Sequence, residues 1–326
     1  MIFLTPLRPG KFLHLNKYNF SDRLYTYMEV TEIAKAKINL SLDIRGTREE
    51  TRDGKKVLFH EVAMIMHSVS LSDMVTVRLS DGDRSFLSIK SNGPLPSIPE
   101  GADNLCIRAA ELMRKALSIE DHFFISLEKN IPSAAGLGGG SSDAAAVMRA
   151  INRLYDSRLS IEEMGSLSTP LGADIPYCLS GGTKLSTGIG EKLSDLPLFP
   201  TMPCVLVKPN FPISTKEAYG RYDEMTEKGQ DVKHPDTDAL VSFLKDNELD
   251  PFFNNTRNVL EEVCVREHKE ISRIEDDAKK SGALFSMMSG SGPTVFSIFN
   301  DEKKAIAFQE AYEKKEGIEG AFFCFT

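Results

Sequence analysis

The segment with the clearest chemical potential is a glycine-rich run at residues 132–146, PSAAGLGGGSSDAAA. It follows a predicted strand and opens a predicted helix, with Ser141, Ser142 and Asp143 as expected capping residues and the alanines as helix formers. Glycines let the backbone approach a ligand closely, and a helix N-terminus offers free N–H donors and about +0.5 charge. The run therefore predicts a cradle for phosphate groups.

The glycine spacing differs from that of common nucleotide-binding motifs. The sequence contains no GxxxxGK[ST], and the GxGxxG pattern fails because Ser141 stands where the third glycine is required. The alternative interpretation is a glycine-rich surface turn. This alternative is less favoured, because a predicted strand precedes the run and a predicted helix follows it. A second glycine turn, SGSGPT at residues 289–294, joins two predicted strands and could close over the same ligand.

Phosphoryl transfer needs positioned charges and often a base for the attacking hydroxyl. Asp174 is the candidate base, although Pro176 also suits a first helical turn and makes Asp174 a candidate N-cap. Lys37, on a strand of small and apolar residues, is the candidate cation that would stabilise developing charge, the alternative being an exposed strand lysine. Lys35 shares its strand face by the two-residue period, so spacing leaves the choice between the two lysines open.

Both halves of the chain alternate predicted strands and helices, which favours an α/β fold of two domains at residues 28–198 and 199–326, divided near the prolines of 195–203. The Asp53-Gly54 pair predicts a turn. The predicted strands are 33–42, 60–71, 74–79, 86–89, 123–129, 204–208, 283–288, 294–299 and 320–324. The predicted helices are 104–117, parts of 215–250, 258–280 and 302–314.

Composition narrows the function classes. The 326 residues include 39 basic and 47 acidic ones, a net charge of −8 that argues against a nucleic-acid-binding surface. No stretch reaches the roughly 18 apolar residues of a membrane helix. Five cysteines without a CxxC pair predict neither zinc nor disulfides and fit a reducing cytosol. Residues 1–27 are interpreted as an extension without functional weight, because prolines interrupt the apolar run that a secretory signal needs.

Three segments in order resemble the motifs of the GHMP small-molecule kinase superfamily: AKINL at 36–40, IPSAAGLGGGSSDAA at 131–145 and MSGSGPTVF at 288–296. Within the superfamily, GADIP at 172–176 and His60 after the Asp53-Gly54 turn are similar to the branch that acts on a cytidine diphosphate derivative. The similarity extends from about Glu29 to the C-terminus. The resemblance implies an N-terminal domain like domain 2 of ribosomal protein S5 and a ferredoxin-like C-terminal domain.

The reaction implied by the resemblance transfers the γ-phosphoryl of ATP, accompanied by Mg²⁺, to the 2-hydroxyl of 4-diphosphocytidyl-2-C-methyl-D-erythritol in the non-mevalonate route to isoprenoid precursors. The enzyme is expected in the cytoplasm as a monomer or homodimer, with a small-molecule substrate, no nucleic-acid or membrane partner and no assigned metal ligand. One alternative is a GHMP kinase acting on mevalonate, homoserine or another small alcohol. Another is a catalytically idle nucleotide-binding homologue, which the presence of Lys37 and Asp174 disfavours.

The resemblance also implies roles for individual residues. Asp174 would be the base and Lys37 its charged neighbour, while Asn39 would hold the substrate, His60 would hydrogen-bond the cytosine and Tyr219 would stack on it. The glycines and serine of the second turn, Gly290, Ser291 and Gly292, would complete the substrate site. The residues expected to bind ATP are Pro132, Ala134, Ala135, Gly136, Leu137, Gly138, Gly139, Gly140, Ser141, Ser142, Asn104 and Lys129.

One segment departs from the family pattern, which usually reads Asp-Gly-Tyr-His. Here residues 55–58 intervene after Gly54, and Phe59 stands where tyrosine is expected. An aromatic face is kept beside His60, so stacking on a base remains possible. The longer loop sets this chain apart from the pattern.

Overall fold

The computed structural model describes residues 29–52, 55–91 and 98–326. The expected extension at 1–27 and the Asp53-Gly54 turn lie outside the described residues. The strands are β1 (Glu29–Arg52), β2 (Lys55–Ser80), β3 (Phe86–Ser91), β4 (His122–Lys129), β5 (Thr183–Gly188), β6 (Lys192–Asp195), β7 (Pro203–Pro209), β8 (Ala283–Met288), β9 (Val295–Phe299) and β10 (Ile318–Phe325). The helices are α1 (Leu105–Leu117), α2 (Gly139–Leu154), α3 (Ile161–Ser168), α4 (Ile175–Ser180), α5 (Thr215–Glu227), α6 (Thr237–Lys245), α7 (Leu249–Asn255), α8 (Val259–Glu267), α9 (Lys269–Lys280) and α10 (Glu302–Glu313).

The first sheet is built around the long strand β2. It pairs antiparallel with β1 along nearly its whole length, and it also pairs with β5 through residues 62–67 and with β4 through residues 74–80. The prediction of separate strands at 60–71 and 74–79 was wrong, because the polar Asp73 between them does not end the strand. Its carboxylate is buried and accepts bonds from Lys129 Nζ and two backbone N–H groups, so the strand continues through it.

Helix α2 packs closely against β1 and α1 because its buried side is made of small residues. Ala144, Ala145 and Ala146 are fully buried there, together with Val147 and Met148. Alanine also favours the helical backbone, so the same residues propagate the helix and let it approach the sheet. The close packing places the N-terminal end of α2 directly beside β1.

The second sheet has the order β10-β7-β9-β8 with all neighbours antiparallel, as expected for a ferredoxin-like layer. The predicted helix at 258–280 was wrong as one element, because His268 has a non-helical backbone (φ −113°, ψ 77°) and separates α8 from α9. The ring of His268 stacks on Phe211 at 4.3 Å, a tertiary contact that local sequence does not reveal. Strands of the first sheet end at Asp195 and those of the second begin at Pro203, and the division into domains at 198/199 stays a prediction.

Part of the buried apolar core is shared by the two sheets, beside a cluster that belongs to the N-terminal half alone. Ile38 and Leu40 of β1 belong to one buried cluster with Leu206 of β7, Phe252 of α7 and Phe296 of β9. Burial of such side chains is the main force that holds the two halves together. As a result, β1 is fixed both to the first sheet and to the C-terminal half.

Candidate active site

The glycine run leads into α2. The helix begins at Gly139, before the serines and the aspartate that the sequence predicts as its capping residues. Gly138 is the N-cap in the left-handed region (φ 68°) and no side chain caps the helix, so the expectation that Ser141, Ser142 and Asp143 cap it was wrong. The first intrahelical bond runs from Ser142 N to Gly138 O at 2.9 Å. The N–H groups of Gly139, Gly140 and Ser141 therefore have no partner in the helix and can bind an anion.

The two glycine turns lie against each other. Gly136 (φ 73°) approaches so closely that a Cβ on it would lie 2.4 Å from the carbonyl oxygen of Ser289. The Ser289 hydroxyl donates to Gly136 O at 3.1 Å and accepts the N–H of Asn39 at 3.3 Å. Both turns and β1 thus form one assembly, held by main-chain contacts that only glycine permits.

Two cavities meet at the catalytic candidates Lys37 and Asp174. The larger of the two, about 730 Å³, is lined by the glycine run. Of the residues predicted to bind ATP, all but Ser142 line it, and Ser142 instead donates its hydroxyl to Lys35 O at 2.7 Å. Asn104 lines the cavity as the N-cap of α1, where its side chain accepts the N–H of Cys106. Ser291 and Gly292 of the second turn complete the wall.

The smaller cavity, about 300 Å³, lies on the other side of the catalytic candidates. Asn39, His60, Tyr219, Gly290 and Ser291 line it, whereas Gly292 lines only the larger cavity. Four residues line both cavities: Lys37, Asp174, Thr215 and Ser291. A group held in one cavity can therefore reach a group held in the other at Lys37 and Asp174.

Lys37 Nζ lies 3.8 Å from Asp174 Oδ2, with the lysine side chain 7% exposed and the aspartate side chain 34% exposed. Lys37 also donates to Asn39 Oδ1 at 2.6 Å. Asp174 occupies the N-cap position of α4 but makes no capping bond, so the capping interpretation was wrong for its side chain. Lys35 is exposed and does not share the strand face of Lys37, because a register shift between the two residues breaks the two-residue period.

Lys129 is buried beneath the glycine run. Its Nζ lies 2.5 Å from Asp73 Oδ2 and 2.9 Å from Asp143 Oδ2. Burial alone would lower the pKa of Lys129, but the two carboxylates raise it above its usual value. Burial raises the pKa of Asp143, against the opposing effect of Lys129. Sequence reasoning missed both ion pairs, since Asp73 comes from β2 and Asp143, expected only as a capping residue, comes from α2.

A small aromatic and polar group surrounds His60 in the smaller cavity. The rings of His60 and Tyr219 are 4.7 Å apart at 37°, and His60 Nε2 lies 2.7 Å from Asp223 Oδ1. Burial raises the pKa of Tyr219, which keeps its hydroxyl protonated. Leu58 and Phe59, from the segment that departs from the family pattern, line the same cavity. Sequence reasoning missed Asp223, which lies one turn after Tyr219 on α5.

The described residues contain neither a membrane-spanning helix nor a cluster of metal-binding side chains. Across 29–52, 55–91 and 98–326, no helix combines the length and hydropathy needed to span a membrane. In the same ranges, no group of three or more histidine, cysteine, aspartate or glutamate side chains is arranged to hold a metal ion.

Two family models match the chain. The model for the GHMP kinases N terminal domain matches residues 104–182, which include the glycine run and Asp174. The model for the GHMP kinases C terminal matches residues 239–318, which include the second glycine turn. These matches confirm the resemblance stated from the three motifs.

Curated relatives match along most of their length. A 4-diphosphocytidyl-2-C-methyl-D-erythritol kinase of Clostridium botulinum (strain Eklund 17B / Type B) is 43% identical over 282 residues, covering 86% of this chain and 94% of the relative. The protein of the same name from Listeria monocytogenes serotype 4b (strain CLIP80459) is 40% identical over 278 residues, covering 85% and 89%.

Solved structures confirm the expected fold. The crystal structure of 4-(cytidine 5'-diphospho)-2C-methyl-D-erythritol kinase has a TM-score of 0.71 at 29% identity and covers 91% of this chain and 98% of that one. A homoserine kinase from Cytophaga hutchinsonii shares the fold, with a TM-score of 0.68 at 20% identity and coverage of 95% and 97%. With identities of 40–43% to curated relatives over most of its length, the chain belongs to the 4-diphosphocytidyl-2-C-methyl-D-erythritol kinase family of the GHMP kinases.

Proposed function

We propose that this chain transfers the γ-phosphoryl group of ATP to the 2-hydroxyl of 4-diphosphocytidyl-2-C-methyl-D-erythritol, at a site made by the residues described above. The observation that carries the proposal is the meeting of two cavities at Lys37 and Asp174. The larger cavity would take ATP and the smaller one the cytidine-containing alcohol. Names of relatives at 40–43% identity support this choice of substrate.

The phosphates of ATP would bind at the N-terminus of α2. The N–H groups of Gly139, Gly140 and Ser141 precede the helical ladder and carry partial positive charge. Lys37 Nζ, at the junction of the cavities, adds a full positive charge beside the transferred group. Such fixed donors stabilise the charge that spreads over the phosphoryl oxygens in the transition state.

Asp174 would act as the base. Its carboxylate takes the proton of the 2-hydroxyl as the hydroxyl oxygen forms its bond to the γ-phosphorus, and the bond from that phosphorus to the bridging oxygen breaks to release ADP. Lys37 Nζ, 3.8 Å from the Asp174 carboxylate, would stabilise the negative charge that develops on the attacking oxygen. Asn39 holds Lys37 in place by accepting its N–H at 2.6 Å.

Mg²⁺ would accompany ATP, because this ion usually binds phosphates and water with only one or two protein oxygens. The described residues fit such a role: Ser141 and Asp143 line the larger cavity, and Asp143 Oδ1 is buried without a hydrogen-bond partner among them. These two side chains would hold the ion or its water shell. The ion would neutralise charge on the phosphates.

His60 and Tyr219 would recognise the cytosine. The Asp223 carboxylate accepts a hydrogen bond from His60 Nε2, which orients the ring so that the other ring nitrogen, Nδ1, would hydrogen-bond the base. Tyr219 offers an aromatic face beside it. An aromatic face with a directed polar atom distinguishes a nucleoside from a plain small alcohol.

The enzyme is further proposed to be cytoplasmic, a monomer or homodimer, and without a nucleic-acid partner. All five cysteines are free thiols, as a reducing compartment requires. The net charge of −8 opposes binding to nucleic acid.

A panel of alcohols tests the substrate. With ATP and Mg²⁺, release of ADP should depend on 4-diphosphocytidyl-2-C-methyl-D-erythritol, whereas mevalonate and homoserine should give at most background rates. Phosphorus NMR of the product should locate the new phosphate on the 2-hydroxyl. Turnover of mevalonate or homoserine at a comparable kcat/KM would reject the proposed substrate, and ATP binding without turnover of any alcohol would favour an idle homologue.

Replacing Tyr219 with leucine tests base recognition. The variant is expected to raise KM for the cytidine substrate by about 5- to 100-fold, because stacking on an aromatic ring contributes roughly 1–3 kcal/mol per base. KM for ATP should stay within about twofold, since Tyr219 lines only the smaller cavity. Tyr219→Phe keeps the ring and serves as the matched control, so an equal rise in KM in that variant would argue against stacking.

A further inference from the structure

The second glycine turn is held in place by a buried asparagine, Asn258, which lies outside the three segments that resemble the family motifs. We infer that Asn258 is a positioning residue for phosphoryl transfer, fixing the turn at 288–292 against β1; the inference rests on the proposed function. Asn258 does not line either cavity, so it would act through the turn.

The hydrogen bonds of Asn258 divide into two sets. Its Nδ2 donates to Met288 O at 2.9 Å and to Gly290 O at 2.8 Å, on the two sides of Ser289. Its Oδ1 accepts the N–H of Leu260 at 3.0 Å and so caps α8. The side chain is only 2% exposed, so water cannot replace these bonds. One half of the amide thus holds the turn, and the other half holds the helix.

The segment that ends at Asn258 is also bonded to β1. Leu42 N donates to Arg257 O at 3.0 Å, and the Thr256 hydroxyl donates to Leu40 O at 2.7 Å. Leu42 and Asn258 additionally form a parallel β-bridge. The segment 256–258 is therefore hydrogen-bonded both to β1, the strand that carries Lys37, and to the turn at 288–292.

The turn that Asn258 fixes lies beside the proposed catalytic lysine, with little room for a side chain at Gly290. A Cβ on Gly290 would lie 3.3 Å from Lys37 Nζ and 3.0 Å from Asn39 Oδ1. The next residue, Ser291, lines both cavities. Displacement of the turn would therefore change the position of Lys37 relative to both bound molecules, and a shift of about 1 Å can lower a rate by about 100-fold.

The two sets of bonds can be separated by substitution. Asn258→Asp keeps the oxygen that caps α8 but removes the two N–H donations to the turn. It is expected to lower kcat by about 10- to 100-fold and to raise the Kd for ATP several-fold. The melting temperature should fall as well, because the new carboxylate oxygen faces two carbonyl oxygens instead of donating to them. The measurements are steady-state kinetics, calorimetric ATP titration and thermal unfolding.

Two further variants complete the experiment. Asp301→Ala removes the N-cap of α10, so it loses a cap without touching the turn and should retain kcat at temperatures where it is folded. If Asn258→Asp fails to fold, Asn258→Ser carries the same test, because serine still caps a helix but cannot span both carbonyls. Wild-type kcat and ATP Kd in a folded Asn258→Asp or Asn258→Ser variant would overturn the inference. Absence of turnover in the wild type would contradict the proposed function alone, since the ATP Kd values of the variants still decide the role of Asn258.

Discussion

Asp174→Asn is expected to lower kcat by about 10²- to 10⁴-fold, the range usually contributed by a positioned general base. Asparagine matches the shape of aspartate but cannot accept the hydroxyl proton. The fold should be unaffected, because the Asp174 side chain makes no capping bond to α4 and is 34% exposed. Rapid-quench measurement of ADP formation, together with circular dichroism and thermal unfolding, checks both parts.

Two comparisons isolate basicity from other effects of the change. The Kd for ATP should remain within a few-fold of the wild-type value, because the phosphates are expected at the α2 N-terminus. Asp81→Asn, in the exposed turn between β2 and β3, removes one negative charge away from both cavities and should leave kcat unchanged. A folded Asp174→Asn enzyme with near-normal kcat would refute the assignment of the base.

Gly136→Ala is expected to reduce kcat/KM for ATP by at least about 100-fold and to destabilise the protein. The added Cβ would lie 2.4 Å from Ser289 O, a main-chain atom that can move only with its whole turn. Overpacking of about 1–3 kcal/mol adds to about 1–2 kcal/mol for a non-glycine residue at φ 73°. The free energy of unfolding should therefore fall by about 2–5 kcal/mol, measured by urea denaturation.

The control for Gly136→Ala is Gly229→Ala at the end of α5. Gly229 has a similar φ of 68°, but a Cβ there would meet nothing within 4 Å. This variant should lose only the conformational contribution of about 1–2 kcal/mol and keep full activity. Equal stability loss in the two variants, with activity preserved in both, would show that the contact between the glycine turns is not needed.

Local features of the site were predictable from the sequence because they depend on neighbours along the chain. The glycine run follows β4 and continues into α2, as its small residues and the preceding apolar strand indicate. The second turn joins β8 and β9 for the same reason. The roles proposed for Lys37 and Asp174 came from the family resemblance, since spacing alone left Lys35 and a capping role as alternatives.

The features that sequence reasoning missed depend on distant partners. The register shift that separates Lys35 from Lys37 arises in the pairing of β1 with β2. Asp73 continues a strand because Lys129 neutralises it, and the break at His268 coincides with its stacking on Phe211. The short strands β5 and β6 and the helix α3 were not predicted either. For the register shift, Asp73 and His268, the deciding contact joins residues that are distant in the sequence. Helix α3 is different, because the capping box of Ser160 and Glu163 at its start is a local signal that could have been used.

The contact between Gly136 and Ser289 has a consequence for how sequences of this kind can diverge. A Cβ at position 136 would meet the main-chain carbonyl oxygen of residue 289, and every amino acid carries this carbonyl group. A second substitution at 289 therefore cannot make room for a larger residue at 136, unlike in a core where one side chain can shrink as another grows. Compensating pairs are thus unavailable at this point, and only an insertion or deletion that reroutes a turn could release position 136 from glycine.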